Sequence, residues 1–238
     1  MPFQLAIDRG NSRTKVSIAE ENGSISLFPA FKEEALENEL MRIIREYTIE
    51  RCIVSNVRDN RLRLPIKYLS LSHLLKFPFT IAYSTPDTVG HDRLANMAAA
   101  SILFPGENVL VIDCGSCITY SLLVDNSFVG GSISPGIQMR YRSLNHFTGK
   151  LPQIEKLGTL PGLIGKSTHD SICSGVEFAI ITEITGMIEA YQEEIGQLKI
   201  VLTGGDYSFF EKYVKSPTFA DAHLTQIGLH EILRINDF

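Results

Sequence analysis

One plan occurs twice in this chain. The stretches "LAIDRGNSRTKVSIAEENGSISLF", Leu5 to Phe28, and "LVIDCGSCITYSLLVDNSFVGGSIS", Leu110 to Ser134, share one order: an apolar strand, Asp-x-Gly, a small polar turn, a second strand, a polar turn and a third strand. Asp8 and Asp113 are the matching carboxylates, Gly10 and Gly115 the matching glycines, and Asn11, Ser12 and Ser116 the polar residues that follow. A single Asp-x-Gly is also an everyday hairpin turn. Two copies in equivalent places favour a functional device, because glycine lets backbone approach a phosphate while turn N–H groups and short polar side chains donate to its oxygens. An Asp at the strand end can hold a cation directly or through water.

The segments between the copies read as covering helices and further strands. In "KEEALENELMRIIREYT" the apolar residues Leu36, Leu40, Ile43 and Ile44 fall at helical spacing. "RCIVSNV" and "FTIAY" read as strands, and "DRLANMAAASILF" as a helix so rich in small and apolar residues that it must be well buried. Later, "SICSGVEFAIITEITGMIEAYQEEIG" is expected to form the longest helix, "LKIVLTGGD" a buried strand breaking at Gly204-Gly205, and "TQIGLHEILRIN" a closing helix. Strands followed by helices in both halves predict an α/β protein of two domains with mixed sheets and a cleft between them. The boundary is expected near "FPGEN", giving domains 1–106 and 107–238.

Composition excludes several classes. With 238 residues, 44% hydrophobic and 21% charged, and a formal net charge of -5, the chain suggests neither disorder nor a broad nucleic-acid-binding surface. "MPFQLAIDRG" shows no basic leader, and no run of about 18 apolar residues stands out, so a soluble cytoplasmic protein away from membranes is expected. Four cysteines, Cys52, Cys114, Cys117 and Cys173, are too scattered for a secreted disulfide framework.

Cys114 and Cys117 stand in C-x-x-C spacing, which admits a redox pair, half of a zinc site or a phosphate loop. Zinc needs two more ligands, and the chain holds neither a second C-x-x-C nor a closely spaced histidine pair. A redox pair usually opens a helix, whereas "ITYSLLV" after Cys117 reads as a strand. The repeat favours the phosphate loop.

In order along the chain, "DRGNSRTK", "YSTPDTVGHDRLAN", "DCGSCIT", "GGSISPG", "GKSTHDSICSG" and "LTGGD" closely resemble the type III pantothenate kinases. These are bacterial enzymes of the first step of coenzyme A synthesis, within the actin-like ATPase superfamily. The resemblance spans almost the whole chain, and T-P-x-x-V-G-x-D-R is its most specific part. It implies two actin-like, ribonuclease H-like domains flanking an ATP cleft, with Mg²⁺ accompanying ATP and a required monovalent cation, K⁺ or NH₄⁺. Asp92 matches the general base that takes the proton of the pantothenate hydroxyl. Arg93 matches a residue that holds the substrate by its carboxylate or amide, its fork being suited to a carboxylate; Tyr83 matches a substrate-contacting tyrosine, and Gly90 and His91 stand with Asp92 in the same substrate-binding segment. Asp8, Arg9, Gly10, Asn11, Ser12, Arg13, Thr14 and Lys15 match the ATP-phosphate loop, Ser116 a phosphate contact, and Asp113 the cation ligand. Thr168 matches a threonine supplied to the substrate site by the neighbouring subunit of a homodimer.

Each of these residues also has a plain structural reading. Asp92 would serve as a helix cap, Tyr83 as packing at a strand end, and Thr168 as a cap before the long helix. Arg9 stands where the family commonly has Ile or Val, so it points out of the sheet or reaches toward phosphate. His91 replaces a residue that is often Ala, and Ser116-Cys117 replaces Thr-Ala. Two other functions fit the same fold: a non-catalytic accessory or regulatory protein, and an actin-like kinase for another small alcohol. The first is expected to lose the base or a phosphate-loop Asp, and the second lacks the T-P-x-x-V-G-x-D-R segment. The helix from Ser171 to Gly196 carries Ile180, Ile181, Ile184, Met187 and Ile188, more than one face requires, which is a further reason to expect a homodimer.

Overall fold

The computed structural model describes residues 2–10, 13–58, 62–155, 160–214 and 218–238. In chain order the elements are β1 (Phe3–Arg9), β2 (Thr14–Ala19), β3 (Ile25–Leu27), α1 (Glu33–Glu46), β4 (Ile49–Asn56), β5 (Leu69–Ser70), β6 (Thr80–Ile81) and α2 (His91–Leu103). Then follow β7 (Val109–Cys114), β8 (Cys117–Val124), β9 (Ser127–Pro135), α3 (Ile137–His146), α4 (Thr168–Cys173) and α5 (Ala179–Ile195). The chain closes with β10 (Lys199–Thr203), α6 (Tyr207–Phe210), β11 (Thr218–Ala220) and α7 (Leu224–Ile235).

The chain divides into two compact units. The first comprises Met1–Gly106, Leu123–Gly130 and His223–Phe238, and the second Glu107–Leu122 and Gly131–Ala222. Each holds one copy of the repeated strand and Asp-x-Gly turn. The sequence reading kept 107–238 together, and here the structure differs: α7 and the tip of the β8–β9 hairpin group with the first unit. An apolar stripe on a helix says that it must be buried, but not against what. For α7 the answer is α2 and the first sheet, where Arg51 donates to the Leu233 carbonyl at 2.7 Å and Asn236 exchanges two 2.9 Å hydrogen bonds with the Lys76 backbone.

In the first unit the strand order is β3-β2-β1-β4-β5, with β1 antiparallel to β2 and parallel to β4. Leu5, Ile7, Val16, Ile18, Cys52 and Val54 of this sheet bury against Leu36, Leu40 and Ile43 of α1, the stripe expected from spacing. α2 is buried from Arg93 to Ser101, as its small-residue composition requires. A β-carbon on Gly228 of α7 would lie 1.8 Å from the Ala95 carbonyl oxygen, so the two helices approach closely at that glycine.

In the second unit the order is β11-β10-β7-β8-β9, and β10 runs parallel to both β7 and β11. The expected long helix forms as α4, a π-helical stretch Ser174–Phe178 and α5, ending at Gly196 with φ of 92°. Ile180, Ile184 and Ile188 are buried, whereas Ile181 and Met187 are half-buried. By length and composition this run, Thr168–Ile195, is apolar enough to cross a membrane, which the sequence reading did not anticipate. It also carries acids engaged inside the unit. Glu177 accepts from Tyr141 at 2.8 Å, and Glu183 accepts from Ser134 and Arg140, both at 2.5 Å, and from Tyr120 at 3.2 Å. Those contacts are what a core helix of a folded unit makes.

Candidate active site

In the first unit the ends of β1 and β2 and the start of α2 carry the charged groups. The antiparallel register sets Asp8 opposite Lys15, and Arg9 opposite Thr14. Side chains alternate along a strand, so Asp8 and Lys15 share one face while Arg9 and Thr14 point to the other. The buried Arg9 guanidinium pairs with Glu33 of α1, which Arg58 also binds at 3.0 Å. Arg58 in turn donates from Nε to the Gly10 carbonyl at 3.0 Å, and Gly10 N–H donates to the Arg13 carbonyl at 3.2 Å. Arg13 is exposed and Thr14 buried, while Asn11 and Ser12 lie outside the described residues.

Burial at the strand end pushes the Asp8 carboxyl up to about 6. The Ser55 hydroxyl, donating at 3.0 Å, and the Lys15 charge pull it down, while the charge of Asp92 pushes it further up. Asp8, Lys15 and Asp92 therefore form one electrostatic group. Ser55, at the end of β4, was visible in the sequence only as part of a strand.

Asp92 occupies the second position of α2, preceded by His91 and the N-cap Gly90. Its Oδ1 accepts from the Arg93 backbone N–H at 2.8 Å. A β-carbon on Gly90 would fall 2.5 Å from that same oxygen, so glycine is what leaves room for the carboxylate. The helix N-terminus adds a favourable field for a negative charge there. Burial holds the His91 imidazole below its ordinary range against the opposing pull of Asp92, and its buried Nδ1 has no hydrogen-bond partner among the described residues. Arg93 is buried, with its guanidinium over the rings of Tyr83 and Phe128.

In the second unit the repeated loop joins β7 to β8. Gly115 N–H donates to the Cys117 carbonyl at 3.0 Å, and Gly136, the N-cap of α3, donates to the Ser116 carbonyl at 3.1 Å. Parallel pairing sets Thr203 beside Asp113. Beyond Thr203, Gly204 adopts φ of 94°, and a β-carbon there would lie 2.4 Å from Asp113 Oδ1. The space next to that carboxylate exists because the residue is glycine. Ser116 is exposed. Cys114 is a fully buried free thiol that burial, with Asp113 and Asp206, pushes well above its ordinary range, the opposite of a reactive redox thiol. Thr168 is the exposed first residue of α4, and the N-cap Ser167 accepts from Asp170 N–H at 3.1 Å. The cap is thus Ser167 and not Thr168.

Residues 4–190 match the family model described as type III pantothenate kinase. A type III pantothenate kinase from Phocaeicola vulgatus is 39% identical over 243 residues, covering 99% of both chains. Another from Cytophaga hutchinsonii is 39% identical over 239 residues, covering 98% of this chain and 100% of that one. This chain belongs to the type III pantothenate kinase family. Solved structures agree on the fold at much lower identity. An activator of 2-hydroxyisocaproyl-CoA dehydratase from Clostridium difficile, with bound ADPNP, has a TM-score of 0.56 at 11% identity, covering 97% of this chain and 94% of that one. A ROK family glucokinase from Streptomyces griseus has a TM-score of 0.50 at 11% identity, covering 98% of each. Gly90, Asp92 and Arg93 stand at the start of α2 in the fold that these structures share.

Proposed function

We propose that this protein is a pantothenate kinase that transfers the γ-phosphoryl group of ATP to the primary hydroxyl of pantothenate, giving 4'-phosphopantothenate and ADP. The observation that carries the reading is the full-length match to curated type III pantothenate kinases, joined to a carboxylate at the start of α2 for which Gly90 makes room. Asp92 is the general base. Its carboxylate takes the hydroxyl proton as that oxygen bonds to the γ-phosphorus and the bond to the β–γ bridging oxygen breaks.

Asp8, Gly10, Arg13, Thr14 and Lys15 serve the ATP phosphates, with Lys15 supplying the charge and Gly10 the close backbone approach; Asn11 and Ser12, outside the described residues, are assigned to the same task from the sequence alone. Arg9 acts through its pair with Glu33. Ser116 donates to phosphate from the second loop. Tyr83, Gly90, His91 and Arg93 line the pantothenate site, and Arg93 takes the carboxylate end.

Asp8 is a hard oxygen donor in a desolvated place and fits Mg²⁺ held directly or through water. Mg²⁺, when bound with ATP, neutralises the phosphate charge that develops during transfer. Asp113, with the space that Gly204 leaves beside it, suits a monovalent cation.

The enzyme works in the cytoplasm as a two-fold homodimer in which Thr168 of one protomer serves its partner's pantothenate site. The exposure of Thr168, Phe147, Leu163 and Ile164 in the single chain supports this assembly. Incubation of the purified protein with pantothenate, ATP, Mg²⁺ and K⁺, followed by mass spectrometry for phosphopantothenate, tests the activity. Absence of product with folded protein would overturn it.

A further inference from the structure

Arg93 is only 4% exposed, and two aromatic rings pack against its guanidinium. Its guanidinium carbon lies 5.1 Å from the centroid of Phe128 and 5.8 Å from that of Tyr83. The two rings stack on each other, 5.6 Å apart and 11° from parallel. Backbone pairing brings them together: Ile81 pairs with Phe128, and Ala82 N–H donates to the Phe128 carbonyl at 3.0 Å, two residues and one residue before Tyr83. Gly130, at φ of 126°, completes the arrangement, since a β-carbon there would press on the Tyr83 ring at 3.3 Å. Phe128 itself is fully buried.

Resting on the function argued above, we propose that Phe128 is a positioning residue for pantothenate. Its ring, backed by Tyr83, fixes the Arg93 guanidinium by a cation–π contact so that the planar N–H fork meets the substrate carboxylate edge-on. Phe128 touches the cation and not the substrate, so its effect falls on binding of the charged end and passes through Arg93.

The test compares wild type with Phe128→Leu, Phe128→Tyr, Arg93→Met and the Phe128→Leu/Arg93→Met double variant. The constants are KM for pantothenate, KM for ATP, and the affinity for a neutral analogue whose carboxylate is replaced by a primary alcohol. Phe128→Leu is expected to raise KM for pantothenate about ten-fold while KM for ATP and affinity for the neutral analogue hold. Phe128→Tyr should recover most of the loss, and Phe128→Leu should add nothing in the Arg93→Met background. If Phe128→Leu does not fold, Phe128→Met keeps apolar volume without a ring and carries the same comparison. An unchanged KM for pantothenate, or equal losses for the charged and neutral compounds, overturns the role of Phe128 while the kinase reading stands. Wild-type protein that makes no phosphopantothenate overturns the kinase reading and this role with it.

Discussion

The proposed roles of Asp8 and Asp92 set one residue type to two tasks in two surroundings. Asp8 titrates near 6 when folded, against an ordinary value of 3.8, because burial outweighs the Ser55 hydrogen bond and the Lys15 charge. Between those values the folded state binds more protons than the unfolded chain, so Asp8 makes stability fall as pH rises from about 4 to about 6, by about 3 kcal/mol at most. Without nucleotide, Asp8→Asn should therefore melt higher than wild type above pH 6, with the difference shrinking toward pH 4. Thermal melts across that range check it, and parallel curves for the two proteins would refute it. For Asp92, the amide in Asp92→Asn keeps shape and loses basicity. Turnover should drop about 100- to 10,000-fold while pantothenate still binds, as steady-state kinetics and calorimetry would report. Near-normal turnover would remove Asp92 from the role of base.

At the scale of elements, close approaches at glycine decide where the reactive groups stand. Gly228 of α7 lies against the Ala95 carbonyl of α2, and α2 begins with His91, Asp92 and Arg93. Gly228→Ala should destabilise the fold by about 1–3 kcal/mol or more and lower turnover as well, because the start of α2 moves with the helix. Chemical denaturation and kinetics on the same sample test both effects, and loss of stability with full turnover would separate α7 from the site. In the second unit, the parallel pair β7 and β10 brings Gly204 beside Asp113. If Asp113 holds a monovalent cation, activity should be higher in K⁺ or NH₄⁺ than in Na⁺ at equal ionic strength. Asp113→Ala should erase that preference, whereas a wild-type enzyme indifferent to K⁺ would refute the assignment.

For the whole molecule, the proposed homodimer predicts complementation. Asp92→Asn and Thr168→Arg proteins, each inactive alone, should recover part of the activity when their subunits exchange, because a mixed dimer keeps one intact site. An active monomer in sedimentation, or no recovery from folded parents, would sink the shared site.

Much of this was legible in the residue order. The repeated strand and Asp-x-Gly turn announced two sheets, each with a carboxylate at a strand end, because a β-strand's pattern and a glycine turn are local properties. The α1 stripe at Leu36, Leu40 and Ile43 was likewise readable from spacing alone. Tertiary structure alone decided that α7 returns to the first unit, that Ser55 and Lys15 flank Asp8, that Arg9 turns to Glu33, and that Phe128 lies under Arg93. Apart from Lys15, which stands across the same hairpin from Asp8, each of these depends on which residues of distant segments meet. Periodicity tells a side chain that it will be buried, whereas strand register and helix crossing choose its neighbour.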